Sequence, residues 1–386
     1  MRKAVNNMKI MCNRDKLMNA IKYASKAIDK NSNVIALQGV KLEILKHDEL
    51  SVTGFNLSLE VIRFIDCHVE DDTNGSIVVN PVFVNKILKT MPKGQVCFES
   101  NADHRLTISS GKMEYEIVCL DGEIFPEAPY IDDLANRIWV QKNTLSSMIE
   151  RTIFATSKNE AKPIMMCELF EFENNKLHVV GVDGFRMSVS EGDAECSVKN
   201  TQFVVPATAL KEIMANIDKD DNKMLIRVGD KAAAFEFASG MIITRLFTDG
   251  EFHRWRSTVP TSCATEVVID KKELLQSCKQ CQLLLNEKNK APVECNFYDG
   301  NEMEIKVSTA LGKFSNILNV DRKGKKIEIG FNIKYLTDAV NHVDSDRIKI
   351  QMNSPKNAVV IRDADHNDDN FHIVMPLKLK ENENGK

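Results

Sequence analysis

The 386-residue sequence has no uninterrupted apolar run of 18 residues, so no segment reads as a membrane-spanning helix. Its start, MRKAVNNMKIMCNRDKL, lacks the apolar h-region of a secretory leader, and the expected location is the cytoplasm. The eight histidines form no HExxH pattern, and no nucleophile sits beside a base or among paired carboxylates at metal-ligand spacing. No metal, no cofactor and no catalysed reaction are expected. The ten cysteines scatter through apolar segments instead of forming a spaced framework, which fits a reduced compartment. Cys278 and Cys281 are the one close pair, yet they fall in a helical pattern with no second pair to complete a zinc site. There is also no excess of positive charge: 51 Lys and Arg against 55 Asp and Glu give −4. That balance argues against a tight, sequence-reading nucleic-acid binder, but not against a protein whose positive charge is confined to one surface.

What is present is ordinary globular composition, 43% apolar and 27% charged, in a chain long enough for two to four domains. Internal periodicity is its strongest feature. VVNPVFVNKILKTM, VVPATALKEIMANI and EIGFNIKYLTDAVNHV each read as a strand running into an amphipathic helix, and Val84, Leu210 and Leu336 stand 126 residues apart. A second series places Leu17, Leu145 and Leu274 at spacings of 128 and 129. Two landmarks with nearly one period predict three similar domains, 1–129, 130–260 and 261–379, bounded by FPEAP and VPTSCAT.

Each copy holds two helices, of about 16 and 12 residues, among alternating or β-branched stretches, an α+β arrangement with helices on one face of antiparallel sheets. Hairpins are expected at ENNK (173–176), KDDNK (219–223) and YDGNE (298–302). Basic residues gather on the helices: Lys22, Lys26 and Lys30 on an i, i+4, i+8 stripe, then Lys86, Lys89, Lys93, Lys142, Arg151, Lys211, Lys271, Lys279 and Lys334. Acidic residues collect in turns and strand ends, at 66–72, 218–221 and 363–369. The expectation is a basic helical face on an acidic body, although a solvated helix surface is the plainer reading of any single lysine.

In HVVGVDGFRMS an apolar run is cut by Asp183-Gly184 and resumes at once, which by itself suggests a tight turn between strands. The threefold repeat together with VVGVDGFRMSVS, LFTDGEFHRW, LLLNEK and the ending FHIVMPLKL resembles the bacterial DNA polymerase III beta subunit (sliding clamp) family over essentially the whole chain. The resemblance implies three clamp-fold repeats in a crescent, two crescents closing head to tail into a homodimeric ring, and a non-catalytic processivity factor around duplex DNA without sequence specificity. Its implied partners are the DNA polymerase III alpha subunit, the clamp loader, and other polymerases and repair proteins that carry a clamp-binding peptide. Helix packing agrees with two copies: twelve helices at about 9.5 Å spacing leave a bore near ~26 Å, while six leave only ~8 Å, too narrow for a duplex roughly 20 Å wide.

The resemblance further implies a peptide pocket between the second and third domains. One wall would be Met165, Val182, Gly184, Phe185, Arg186 and Met187, with Arg186 offering donors to a peptide; the facing edge would be His253, Ser257, Thr258 and Val259; the floor and rim would be Ile373, Val374, Met375, Pro376, Leu377 and Lys378. The basic helix residues named above would face the DNA. Tyr115 and Ile117 would meet Leu283 and Leu284 of a second copy, unless those leucines belong to the third domain's core. Two departures stand out: Asn31 where the family carries arginine, and His253 where it carries proline. The tail 380–386, KENENGK, extends past the family ending and is expected to be disordered. Asp183, Arg186 and His253 make no convincing catalytic set, and a scaffolding repeat protein unrelated to DNA is the alternative that stays open.

Overall fold

A computed structural model describes residues 8–45, 48–70, 74–132, 135–217, 222–286, 291–366 and 370–379. The predicted tail 380–386, the acidic stretch 218–221, parts of the other two acidic stretches and most of the KDDNK turn lie outside the described residues. The order strand, helix, four strands, helix, three strands occurs three times along the chain. The helices are α1 (Arg14–Ala24), α2 (Pro81–Thr90), α3 (Lys142–Thr152), α4 (Ala207–Asn216), α5 (Lys271–Gln282) and α6 (Ile333–Asn341). They are shorter than the sequence suggests. Lys26 sits in a 3-10 turn after α1 and Lys30 lies beyond it, so the expected three-lysine stripe does not run along one helix.

A local rule starts four of these helices. The residue just before α1, α2, α5 and α6 is Asn13, Asn80, Asp270 or Asn332, whose side chain accepts the first free backbone N–H groups of the helix. Inside, Leu17, Ala20, Ile21 and Ala24 follow the i, i+3, i+4, i+7 spacing of one buried face. The two landmark series, Val84, Leu210, Leu336 and Leu17, Leu145, Leu274, are all buried at the helix–sheet contact. Truncating any one of the leucines to alanine costs about 2–5 kcal/mol. Asn174 and Asn175, both with positive φ, form the predicted ENNK hairpin, and Gly300 (φ 104°) turns YDGNE.

The chain packs as two compact units, one of Met1–Lys142, Glu195–Val198 and Thr208–Leu246, the other of Asn143–Ala194, Lys199–Ala207 and Phe247–Lys386. Within each unit one repeat is joined to the next by a ladder between the eighth strand of the later copy and the start of the fourth strand of the earlier one. In the first unit Gly240–Arg245 lies antiparallel to Leu59–Val69, with Ile242 opposite Val61. In the second, Phe371–Val374 lies antiparallel to Arg186–Cys196, with His372 opposite Ser188.

Candidate functional site

Asp183 makes the turn that interrupts the apolar run. Its Oδ1 accepts from the backbone N–H groups of Phe185 (2.9 Å) and Arg186 (3.0 Å), while Gly184 takes φ 91°. A Cβ added to Gly184 would find its nearest neighbour, Met165 Cε, at 3.9 Å. Glycine is therefore required by the backbone angle and not by lack of space. The turn tips Phe185 outward, 59% exposed, where its ring stacks on Tyr335 at 6.2 Å. The wall is tied to the last strand by Met375 N–H donating to Phe185 O at 2.9 Å. Ser157 N–H donates to Met165 O at 2.7 Å and fixes the neighbouring loop.

Behind this wall lies a polar post. Arg186 is 9% exposed; its Nε donates to Asp183 Oδ2 at 3.0 Å and its Nη1 to Asp338 Oδ2 at 2.5 Å, with Tyr335 and Phe154 rings at 4.6 and 5.3 Å from its Cζ. This corrects the expected role of a free donor: the guanidinium is held by two carboxylates and acts by fixing the wall to α6. Further in, the Ser188 hydroxyl lies 2.5 Å from Arg151 O and 2.7 Å from His372 Nδ1, and Phe154 stacks on His342 at 4.1 Å. Burial holds the His372 imidazole well below its usual range, at about 3, so it is neutral.

Val182, Met187, Val259 and Ile373 share one apolar cluster with Leu169, Val180, Trp255 and Phe371. Val374 does not join it. Successive strand residues face opposite ways, and Val374 points into the core of the third repeat, fully buried, so it drops out of the expected lining. Met375 and Pro376 are half-buried, and Leu377 and Lys378 exposed, with Leu377 N–H bonded to Gly330 O at 2.8 Å. His253 is not a free rotor: its Nε2 and the Thr258 hydroxyl lie 2.6 Å apart, and Trp255 N–H donates to His253 O, while Ser257 is exposed beside them. Phe154, Tyr335 and Asp338, which complete the post, were missing from the sequence expectation; only folding brings them to Arg186.

Of the basic residues expected to face DNA, Lys22, Lys26, Lys30, Lys86, Lys89, Lys93, Lys211, Lys279 and Lys334 are exposed, and Lys142 is half-exposed. Lys26 lies 3.6 Å from Glu212. Two more of the set are engaged within the protein. Arg151 is ion-paired with Asp344, and Lys271 Nζ donates to the carbonyls of Asn341 (3.2 Å) and Val343, closing the end of α6. At the expected seam, Tyr115 and Ile117 stand on the edge strand Met113–Val118, half-buried against the first repeat's core. Leu283 is 82% exposed just past α5, whereas Leu284 packs on the third repeat's core, so the core reading holds for only one of the two. Among the described residues no cluster of metal-ligating side chains occurs, no helix is long and apolar enough to cross a membrane, and the ten cysteines are free thiols.

Comparison with known proteins gives three consecutive matches. Residues 8–129, 139–253 and 256–378 match the family models for the N-terminal, central and C-terminal domains of the DNA polymerase III beta subunit. The beta sliding clamp of Bacillus subtilis is 24% identical over 381 residues, covering 96% of this chain and all of that one. The solved sliding clamp of Bacillus subtilis superposes with a TM-score of 0.89 at 23% identity, covering 97% of this chain and 100% of the other. The beta subunit of Streptococcus pyogenes gives 0.89 at 21% identity, covering 96% and 100%. The chain belongs to the DNA polymerase III beta subunit family, whose members are non-catalytic sliding clamps.

Proposed function

We propose that this chain closes with a second copy into a ring around duplex DNA, and that the Phe185 site tethers replication and repair partners to it. One observation carries the ring: the register at which the repeats join. Tyr115, Ile242 and His372 hold equivalent places, reached across three ladder steps from Ile10, Ile138 and Val267. Val61 and Phe314 are likewise equivalent, each six residues before the residue that pairs with Cys12 or Ile269. Ser188 holds the same place in the middle repeat, one residue after Met187 as Val61 is one after Glu60, with Val182 and Phe55 as the respective partners. Two joints thus pair equivalent residues in one register, Ile242 with Val61 and His372 with Ser188.

Tyr115 and Phe314 are left over, on strand edges that pair with no other described residues. A second copy satisfies both edges with the register already used twice, and two such seams close a ring. That register sets Glu116 opposite Lys313, Ile117 over Gly312 beside Leu284, and Val118 opposite Leu311, which are 66% and 67% exposed. Exposed apolar residues, and opposite charges that form no ion pair among the described residues, meet their complements at once.

The exposed lysines on and around the helices supply screened attraction to phosphates, which holds the ring near DNA without fixing it to a sequence. At the Phe185 site, an exposed ring beside Tyr335, Met165 and Met375 offers adaptable apolar contact to a hydrophobic-ended peptide of the polymerase III alpha subunit, the clamp loader or repair proteins. The test is topological: protein loaded onto nicked circular duplex by a clamp loader with ATP stays bound through a moderate-salt wash and leaves once the circle is cut. Equal loss from circle and line would refute the ring.

A further inference from the structure

The sheet face turned away from α1 and α2 carries a groove of about 520 Å³ in the first unit. Its floor includes Glu60, Ser51 and Thr53 on neighbouring strands, and the segment joining the first two repeats crosses over it with Phe125 and Tyr130, the latter 82% exposed. Glu60 is the anomaly. It is 7% exposed, its carboxylate has no hydrogen-bond or ion-pair partner among the described residues, and burial raises its pKa to about 7 against the opposing pull of Lys41. The nearby cations are occupied: Lys41 Nζ sits 2.9 Å from Glu43, and Arg227 is bonded to Glu236. The charged groups that line the groove are Lys41, Glu43, Glu60, Glu127 and Arg227, so acids outnumber bases.

The corresponding place in the second unit is apolar. Met187 stands at the strand position of Glu60, and Trp255, from the segment that crosses there, packs with Val180, Val182 and Ile373. In the first unit the crossing segment brings small Ala128 instead, and the apolar residues divide into two separate clusters. A largely buried carboxyl with no protein partner on the floor of an open groove is available to a cation that enters it.

We infer that this groove is a second binding site, for a partner-protein segment presenting an arginine between apolar residues, with its guanidinium on Glu60 and its neighbours on Phe125, Tyr130 and Ile243. Guanidinium suits the site better than ammonium because it stacks on aromatic rings and pairs with carboxylate in the plane of both groups. A cation held there favours ionised Glu60, so binding releases a proton and tightens as pH rises from 6 to 8. The inference does not depend on ring closure or on the Phe185 site.

The test uses the full chain and fluorescence anisotropy with a labelled octapeptide of leucine, serine and glycine bearing one central arginine, and the same peptide with citrulline, its neutral isostere. The arginine peptide is expected to bind at least tenfold tighter than the citrulline peptide. Glu60→Gln should remove that difference and flatten the pH dependence without lowering the melting temperature, and Tyr130→Ala should weaken both peptides alike. Equal binding of the two peptides to the native protein, no binding at millimolar peptide, or a preference for arginine that survives Glu60→Gln would each overturn the assignment.

Discussion

Reversing one charge at the proposed seam gives a quantitative handle on ring closure. Glu116 and Lys313 are exposed on separate strand edges and neither forms an ion pair among the described residues. The joint register sets them directly opposite each other in two copies. An exposed cross-strand pair contributes about 0.5 kcal/mol, and replacing one partner by the opposite charge turns that attraction into repulsion of similar size, a change of about 1 kcal/mol per seam. A ring has two seams, so Glu116→Lys or Lys313→Glu should weaken the dimer by about 2 kcal/mol, roughly 30-fold in dissociation constant. The double variant restores opposite charges in swapped order and should return to within about threefold of the native value. Light scattering after size exclusion, over a dilution series from micromolar protein, reads this as a shift from twice 43.6 kDa toward 43.6 kDa. The single-variant defects should shrink in 1 M salt, where the screening length falls to about 3 Å. Additive loss in the double variant, or single variants that dimerise like the native chain, would refute the register.

Other expectations follow from the same structure. Glu168 is fully buried, neither carboxylate oxygen has a hydrogen-bond partner among the described residues, and the nearby Thr152 hydroxyl bonds to Met148 O at 2.8 Å; burial, only partly opposed by Thr152, raises its pKa to about 8. Since the folded state keeps the proton that the unfolded chain loses, stability is full below about pH 4.5 and falls as pH rises toward 8, by on the order of 4 kcal/mol. Glu168→Val, the residue at the equivalent ladder positions 40 and 293, should raise the melting temperature at pH 8 more than at pH 5, as read by calorimetry. His372 acts in the opposite sense: with its pKa depressed to about 3, its contribution is complete above about pH 6.5 and is lost as pH falls toward 3, so His372→Gln should flatten the acid side of the same profile. Phe185→Ala should abolish binding of a glutamine–leucine–phenylalanine peptide with little change in melting temperature, whereas Arg186→Ala should lower both, because it strands Asp183 and Asp338. Reversing Lys22 and Lys89 should impair retention on circular DNA without affecting dimerisation, but Lys271→Glu should destabilise the third repeat through the end of α6.

How much of this was legible in the sequence depends on whether a feature is set by near neighbours or by distant pairing. Helix starts and buried helix positions were readable because the spacing of Leu17, Ala20 and Ile21, and an Asn or Asp just before the helix, act within one turn. The turn at Asp183 was readable for the same reason. Val374 was not, because alternation says that neighbours face opposite ways without saying which face meets which core. Arg186 looked like a free donor because Asp338 lies 152 residues away, and nothing local signals the burial of Glu168. The seam is the extreme case: Glu116, Val118, Leu311 and Lys313 are unremarkable singly, and their match becomes visible only when the two internal joints fix a register. The repeat periodicity that is plain in the sequence is therefore also what makes those joints comparable, since each copy supplies the template for an edge that the single chain leaves open.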